Sequence, residues 1–417
     1  MPSCRTAARG PLPAFLQFGS VACLLLLLGA CVRIIPGDTR GSPPPPVTSP
    51  PPGSLPETTA ESAIALGVSA GPTVESLDLR QGDAATALLS FHESCPKLVT
   101  REDASGLTRP ADWQEACDAF ASWPYADGPG FFERYFETVR VGDGSAFATG
   151  YFEPDIAGSR ERLPGFDVPV YGLPDDLVRA RPGDAEPTSK EQMPLGRYDA
   201  QGNFVPYFDR TEIENGALAG RGLEIGWAAD PVEFFFLQIQ GSGMLRAPDG
   251  TIMRIGYAGQ NGRGYTGIGG VMRERGLIGD GPGQYPGSMQ GIMQYIREHP
   301  VEGRALMREN QSWIFFRELT GDGPLGALGV PVRRESSVAT DPRFTPLGAP
   351  VWLELDRTVA NGLWIAQDTG GAIKGPNRFD TFWGNGEEAR QIAGGMSGRG
   401  RALVFVPKGT LARLGIR

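Results

Sequence analysis

The densest group of polar and glycine residues in the chain is the segment DTGGAIKGPNRFDTFWG, residues 368–384. Two aspartates, Asp368 and Asp380, stand twelve residues apart in it, with Lys374, Arg378 and aromatic residues beside them. A general acid needs a carboxyl that stays protonated near neutral pH, and burial against aromatic surface raises a carboxyl pKa. The spacing alone leaves two interpretations open, which are proton transfer and aspartates that only cap turns.

Composition indicates a globular, β-rich protein. The chain has 417 residues, of which 40% are hydrophobic, 59 are glycine and 37 are proline. This length accommodates two ordinary domains, and the glycine and proline content disfavours an all-helical bundle. The formal net charge of -9 provides no global positive field for nucleic acid. We therefore exclude nucleic acid as a partner.

The N-terminus has the pattern of a bacterial secretion signal, residues 1–30. Arginines precede an apolar run that is too short to span a bilayer and that ends in Leu28-Gly29-Ala30-Cys31. Small residues before a cysteine resemble the lipobox, so we expect lipid attachment at Cys31; the alternatives are an ordinary signal peptide with an incidental cysteine and a marginal anchor helix. Val32 follows, which by resemblance to Gram-negative lipoproteins predicts an outer-membrane protein that faces the periplasm. The proline-rich residues 31–75 predict an extended tether.

Helical spacing of apolar residues follows the tether. It occurs at residues 88–95, 113–120 and 132–139 and predicts short amphipathic helices. Because the periplasm is oxidising, we expect Cys95 and Cys117 to form a disulfide; two separately buried thiols are the alternative.

From residue 156 to about 300 the sequence predicts short strands between turns. The apolar run at 234–240 is predicted as a strand, and residues 244–246 and 251–257 predict a hairpin around the turn between them. Further β-like stretches occur at 312–316, 350–355, 363–367 and 401–406.

The sequence is short of residues for cofactor chemistry. It has two histidines, no Cys-x-x-Cys and no His-Glu-x-x-His. Residues 262–267 fit G-x-G-x-x-G, but no βαβ pattern surrounds them and no acidic residue follows at the spacing that a ribose needs. We expect neither a metal nor an organic cofactor, so carboxylates must carry any proton transfer.

The segment 368–384 resembles the three-aspartate (3D) domain at the end of the MltA family, the membrane-bound lytic murein transglycosylases A. Other blocks resemble that family in the same order; they are TGYFEP (149–154), YFDR (207–210), FFLQIQGSG (235–243), NQSWIFF (310–316), PLGA (324–327), DPR (341–343) and PLG (346–348). Together they extend the resemblance over residues 80–410.

The resemblance implies a mainly β fold of two domains. A double-psi β-barrel with a few N-terminal helices would comprise residues 76–155 and 306–417, with the 3D domain at about 320–410. A second β domain, residues 156–305, would be inserted into it, and a groove between the two would hold the substrate.

The resemblance also implies a reaction. It is cleavage of the MurNAc-β-1,4-GlcNAc bond of peptidoglycan with formation of 1,6-anhydro-N-acetylmuramic acid. Asp380 is implied as the single general acid/base and Asp368 as its polar support, while Glu387 stands where the family has a third aspartate, so the role of that acid stays open. The alternatives are a muramidase, in which Asp368 or Glu153 activates water, and a non-catalytic glycan-binding lipoprotein.

The resemblance implies four substrate-binding residues, which are Thr149, Gln240, Ser242 and Lys374, and the rings of Tyr151 and Trp383 are further candidates to stack on sugar faces. Each could instead be structural: a local backbone contact, a sheet edge, a solvated charge or, for Trp383, core packing. Glycan strands of peptidoglycan are the expected partner, and no particular protein of cell-wall synthesis is predicted.

Overall fold

The computed structural model describes residues 58–188, 192–321 and 323–416. The predicted signal peptide, Cys31 and the tether as far as residue 57 lie outside the described residues. Within the described ranges, no helix has both the length and the apolar character needed to cross a membrane.

Strands and helices alternate along the described chain. The strands are β1 (Val68–Ala70), β2 (Phe136–Val141), β3 (Ser145–Glu153), β4 (Asp155–Ser159), β5 (Val168–Tyr171), β6 (Val178–Arg179), β7 (Leu195–Tyr198), β8 (Phe204–Pro206), β9 (Glu224–Ala228), β10 (Ser242–Arg246), β11 (Ile252–Gln260), β12 (Ile314–Glu318), β13 (Ser337–Ala339), β14 (Pro350–Leu355), β15 (Gly362–Asp368), β16 (Arg378–Asn385) and β17 (Ser397–Pro407). The α-helices are α1 (Ala63–Leu66), α2 (Gln81–Leu98), α3 (Gln114–Phe120), α4 (Gly128–Tyr135), α5 (Arg210–Glu214), α6 (Pro231–Gln240), α7 (Ile268–Glu274), α8 (Met289–Glu298), α9 (Pro300–Glu309), α10 (Gly386–Gly395) and α11 (Thr410–Leu414).

A closed barrel forms the first domain. Its six strands follow the order β17-β14-β15-β13-β16-β3, and β3 pairs with β17 to complete the circle. The β13–β15 and β16–β3 pairs are parallel, whereas the others are antiparallel. Side chains alternate between the two faces of each strand, so Phe379 and Trp383 point into the buried barrel core while Asp380 points to the other face.

Helices α2, α3 and α4 cover one side of this domain around an aromatic core that includes Phe91 and Phe131. Cys95 of α2 and Cys117 of α3 are joined by a disulfide, with a Cα–Cα distance of 5.6 Å. Two expectations for this region were wrong. The helical pattern at 132–139 ends at Tyr135, because the residues from Phe136 pair with β17 as strand β2. The end of the predicted tether is also folded, since α1 and β1 lie within it and β1 pairs with β2.

The second domain is inserted between β3 and β13. Its main sheet has the order β12-β11-β10-β4-β9-β5, and a separate sheet contains β6, β7 and β8. The hairpin predicted from the sequence is confirmed as β10 and β11. The expectation of strands alone up to residue 300 was wrong, because helices α5 to α8 lie in that range and α9 begins at its end.

The largest correction concerns residues 234–240, which were predicted as a strand and form helix α6. The helix is apolar on both sides because Phe234 and Leu237 pack on the sheet, whereas Phe235 and Phe236 pack among helices. A helix that is buried all round has no amphipathic period, so the run alone could not distinguish it from a strand. The helix start was nevertheless marked by Asp230, whose side chain accepts a hydrogen bond from the backbone N–H of Val232.

Candidate functional site

Barrel topology brings the two aspartates of segment 368–384 together. Strand β13 lies between β15 and β16, and its Ala339 is the register partner of both Asp368 and Asp380. On the other side of β16, Thr149 of β3 is the register partner of Asp380. Register partners in a sheet present their side chains on one face. The outer face of the barrel therefore carries both carboxyl groups and the Thr149 hydroxyl.

Asp380 is contacted by the Thr149 hydroxyl, which donates a hydrogen bond to its Oδ1 at 2.6 Å. Thr149 in turn accepts a hydrogen bond from Nη2 of Arg378 at 2.9 Å. The Arg378 guanidinium lies over the ring of Phe147, 4.8 Å from its centroid. No hydrogen bond from the described residues reaches Oδ2 of Asp380, whose side chain keeps partial contact with solvent.

Asp368 is held more completely. Its Oδ1 accepts hydrogen bonds from the backbone N–H groups of Ala327 and Thr369, both at 2.8 Å. Its Oδ2 accepts a hydrogen bond from the Tyr151 hydroxyl at 3.0 Å. Both oxygens of this carboxyl therefore have protein donors.

Burial perturbs both carboxyl groups in the same direction. It raises the pKa of Asp368 to about 6, against the lowering effect of its three hydrogen bonds, and the Asp380 charge adds to the rise. Burial also raises the pKa of Asp380, while the Arg378 charge and the Thr149 hydrogen bond lower it. Two carboxyl groups on one desolvated face therefore favour retention of a proton, which is the condition for a general acid.

The other predicted contact residues occupy different positions. Tyr151 is largely buried at 8% exposure, and its ring packs against Phe382 with centroids 5.0 Å apart. Gln240, at the end of α6, accepts a hydrogen bond from the backbone N–H of Phe152 at 3.0 Å, which joins the inserted domain to the barrel. Ser242 is half-buried at the start of β10, and Lys374 is exposed in the loop before β16.

One sequence-based assignment does not fit the structure, and the acidic residue whose role was left open has no described contact with the two aspartates. Trp383 is only 2% exposed and packs against Trp364 in the barrel core, so its ring is not available to stack on a sugar. Glu387 is exposed in the first turn of α10, where its Oε1 accepts a hydrogen bond from Gln391. The described contacts of Glu387 do not include either aspartate.

Two residues of the site were missed by sequence reasoning. Arg378 could have been found, because it stands two positions before Asp380 on one strand and therefore shares its face. Tyr265 comes from the loop between β11 and α7 of the inserted domain, and its side chain lies against Gly371 of the aspartate segment. Burial and the Asp380 charge raise the pKa of Tyr265, and Arg378 opposes that rise. No local sequence signal connects it with residue 371.

A cavity of about 570 Å³ lies at the junction of the two domains. Phe152, Gly386 and Arg390 of the barrel domain and Ile156 and Arg246 of the inserted domain are among its lining residues. Neither aspartate of the site lines it. Among the residues that the structure describes, no group of three or more His, Cys, Asp or Glu residues could hold a metal ion.

The fold and the site together define a class: a six-stranded barrel whose Gly-rich segment presents two desolvated aspartates, with a second domain inserted between β3 and β13. Comparison with protein families agrees with this class. The family described as "MltA specific insert domain" matches residues 147–317, and the 3D domain matches residues 336–406. The chain belongs to the MltA family.

Individual relatives are similar over much of the chain. The membrane-bound lytic murein transglycosylase A of Vibrio cholerae serotype O1 is 32% identical over 262 residues, which are 60% of this chain and 62% of the relative. The crystal structure of MltA from Neisseria gonorrhoeae is 35% identical with a TM-score of 0.67, covering 82% of this chain and 93% of that chain. That of Escherichia coli MltA with bound chitohexaose is 26% identical with a TM-score of 0.55, covering 78% and 89%. The expected double-psi barrel with an inserted domain is confirmed.

Proposed function

We propose that the protein is a peptidoglycan lytic transglycosylase in which Asp380 is the general acid/base. The observation that carries the proposal is the Asp380 carboxyl, which is desolvated on the barrel face while its Oδ2 receives no hydrogen bond from the described residues. The names of the relatives and the chitohexaose bound to the Escherichia coli protein support a β-1,4-linked amino-sugar strand as the substrate class.

One carboxyl is sufficient for this reaction. In the first step, protonated Asp380 gives its proton to the glycosidic oxygen as the bond from that oxygen to C1 of the muramic acid breaks. In the second step, the Asp380 carboxylate takes the proton of the C6 hydroxyl as the O6–C1 bond forms. The acid is thereby regenerated, and the products are a free 4-hydroxyl and a 1,6-anhydro ring without consumption of water.

The contacts of the two other candidate carboxyl groups, those of Asp368 and Glu153, favour this reaction over hydrolysis. A muramidase needs a second carboxylate that can activate water. Both oxygens of Asp368 accept protein hydrogen bonds. Glu153 is 1% exposed and forms an ion pair with Arg254 at 2.9 Å. Three protein hydrogen bonds to Asp368 and the burial of Glu153 beside Arg254 make both carboxyl groups less available to a water than Oδ2 of Asp380.

Asp368 acts in this proposal as a fixed support for Asp380, and Tyr151 orients it through its hydroxyl. Thr149, Gln240, Ser242 and Lys374 remain the proposed sugar contacts. The side-chain oxygen of Gln240 accepts the hydrogen bond from Phe152 at the domain junction. We assign its side-chain NH₂ group to the substrate.

The test is mass spectrometry of muropeptides released from purified peptidoglycan by the full chain in detergent. We expect products one water lighter than muramidase products. Asp380→Asn should lower the rate by about 10²–10⁴-fold, the usual contribution of a general acid/base. Its circular dichroism should match the wild type, since the amide has the same shape as the carboxyl, and its unfolding midpoint should be no lower. Hydrated products would contradict the proposed chemistry, and an active Asp380→Asn variant would contradict the assignment of Asp380.

We also propose an outer-membrane lipoprotein that faces the periplasm, with its lipid at Cys31 and residues 1–30 as the signal. The membrane-bound name of the relatives supports a membrane-associated location. Metabolic labelling with palmitate should mark the full chain and not Cys31→Ala, and the labelled protein should fractionate with the outer membrane. Equal labelling of Cys31→Ala would contradict this attachment site.

A further inference from the structure

Three side chains on the barrel face form a connected series of hydrogen bonds. Nη2 of Arg378 donates to Oγ1 of Thr149 at 2.9 Å, and Oγ1 of Thr149 donates to Oδ1 of Asp380 at 2.6 Å. Arg378 and Asp380 lie on β16, and Thr149 lies opposite them on β3. The parallel pairing of two strands therefore holds all three groups.

The chemistry of the donors fixes the direction of this series. A guanidinium has only donors, so Thr149 must accept from Arg378. A threonine hydroxyl has one proton, and once its oxygen accepts from Arg378, that proton is directed to Asp380. Oδ1 of Asp380 is thereby an acceptor whether the carboxyl is ionised or protonated.

We propose that Arg378 is a positioning residue that keeps the acid proton of Asp380 on Oδ2. The inference rests on the function proposed above, because it concerns which oxygen of Asp380 faces the substrate. Without Arg378, the Thr149 hydroxyl is free to rotate and to accept a proton from Oδ1. The acid proton would then be directed into the protein instead of toward the glycosidic oxygen.

The surroundings of Asp380 define which other charges act on it. Tyr151 lies on β3, Asp368 ends β15, and Tyr265 approaches from the inserted domain. Arg378 is the cation that most opposes the effect of burial on Asp380. Arg399 of β17 offers a matched comparison, since its guanidinium also lies over the Phe147 ring, at 5.3 Å, but has no described contact with Thr149 or Asp380.

The experiment measures kcat and KM across pH for Arg378→Gln, Thr149→Val and the double variant of the full chain. We expect Arg378→Gln to lower kcat by about 10–100-fold at its own pH optimum with KM nearly unchanged, which is the range for a misplaced catalytic group. In the Thr149→Val background, Arg378→Gln should cost less than about 3-fold, because its partner is already gone. Arg378→Lys, which keeps a charged donor, should restore part of the rate, and Arg399→Gln should match the wild type.

A second measurement does not depend on activity. The pKa of Asp380 is followed by carbon-13 NMR of aspartate-labelled protein, with its signal assigned from Asp380→Asn. We expect this pKa to rise in Arg378→Gln and to stay unchanged in Arg399→Gln. The inference is overturned if the kcat losses of the two single variants multiply in the double variant, or if the pKa of Asp380 is unchanged in Arg378→Gln. An inactive wild type would contradict the proposed function alone, and the NMR titration would still decide the role of Arg378.

Discussion

At the scale of single residues, Asp368 and Asp380 share a face but differ in their freedom to transfer a proton. Asp368 has donors on both oxygens, whereas Asp380 receives a single hydrogen bond from the described part of the chain, that of Thr149. Raised pKa values at both positions show that burial outweighs these bonds. Such groups cost stability when ionised, so the surrounding fold must offset the part of this cost that the hydrogen bonds leave.

Asp368→Asn should therefore stabilise the protein near neutral pH. Burial raises the pKa of Asp368 from 3.8 to about 6, so the folded state binds more protons than the unfolded state between these values. Stability then falls as pH rises through this window, and Asn removes the loss. We expect a gain of about 1–3 kcal/mol in urea unfolding at pH 7.5 that disappears below pH 4. The exposed Asp175→Asn is the control. A gain of the same size at both pH values would contradict this origin.

At the scale of elements, the sequence predicted the strands that show alternating side chains or that follow turns. The hairpin β10–β11 and strands β14, β15 and β17 alternate or follow glycine turns, and they were predicted near their observed positions. Helix α6 was missed because two different cores cover its two sides, a fact of tertiary packing that no local period contains. Strand β2 was missed because its apolar residues also fit a helical spacing, and pairing with β17 decides its conformation.

The site likewise contains residues that the sequence indicates and residues that only the assembled fold brings there. The aspartates could be found from the glycine-rich segment, and side-chain alternation along β16 could have placed Arg378 on the face of Asp380. Tyr265 reaches the site from a different domain, so only the assembled fold brings it to Gly371. Trp383 was assigned to the substrate because tryptophan often stacks on sugars, but strand alternation directs it inward while Asp380, three residues earlier, points outward.

At the scale of the whole molecule, a buried ion pair joins the two domains where the chain passes between them. Glu153 is the last residue of β3 and is 1% exposed. Nε of Arg254, on β11 of the inserted domain, lies 2.9 Å from Oε1 of Glu153. Burial raises the pKa of Glu153, while Arg254 and Asn385 lower it. The pair therefore ties the inserted domain, which supplies Tyr265, to the end of a barrel strand that carries Thr149.

Removing one partner should loosen this junction in a pH-dependent way. Arg254→Gln leaves the Glu153 charge buried without its cation, which should cost about 3 kcal/mol at pH 7.5. Because loss of Arg254 raises the pKa of Glu153 further, the carboxyl is protonated in both the folded and the unfolded state at low pH. The cost must then shrink as pH falls from 7.5 through the raised pKa of Glu153, and it should be lost by about pH 4. Differential scanning calorimetry at both pH values measures it.

Two further variants make this prediction specific to the buried pair. Arg401→Gln removes an arginine whose ion pair with Glu354 is exposed on both sides, at 73% and 58%, so its effect should stay below about 1 kcal/mol at either pH. Glu153→Gln combined with Arg254→Gln should recover part of the stability that Arg254→Gln loses, since no buried charge then remains. A loss that is independent of pH, or a double variant that is less stable than Arg254→Gln, would mean that Arg254 contributes through packing against Met244 and not through the charge of Glu153.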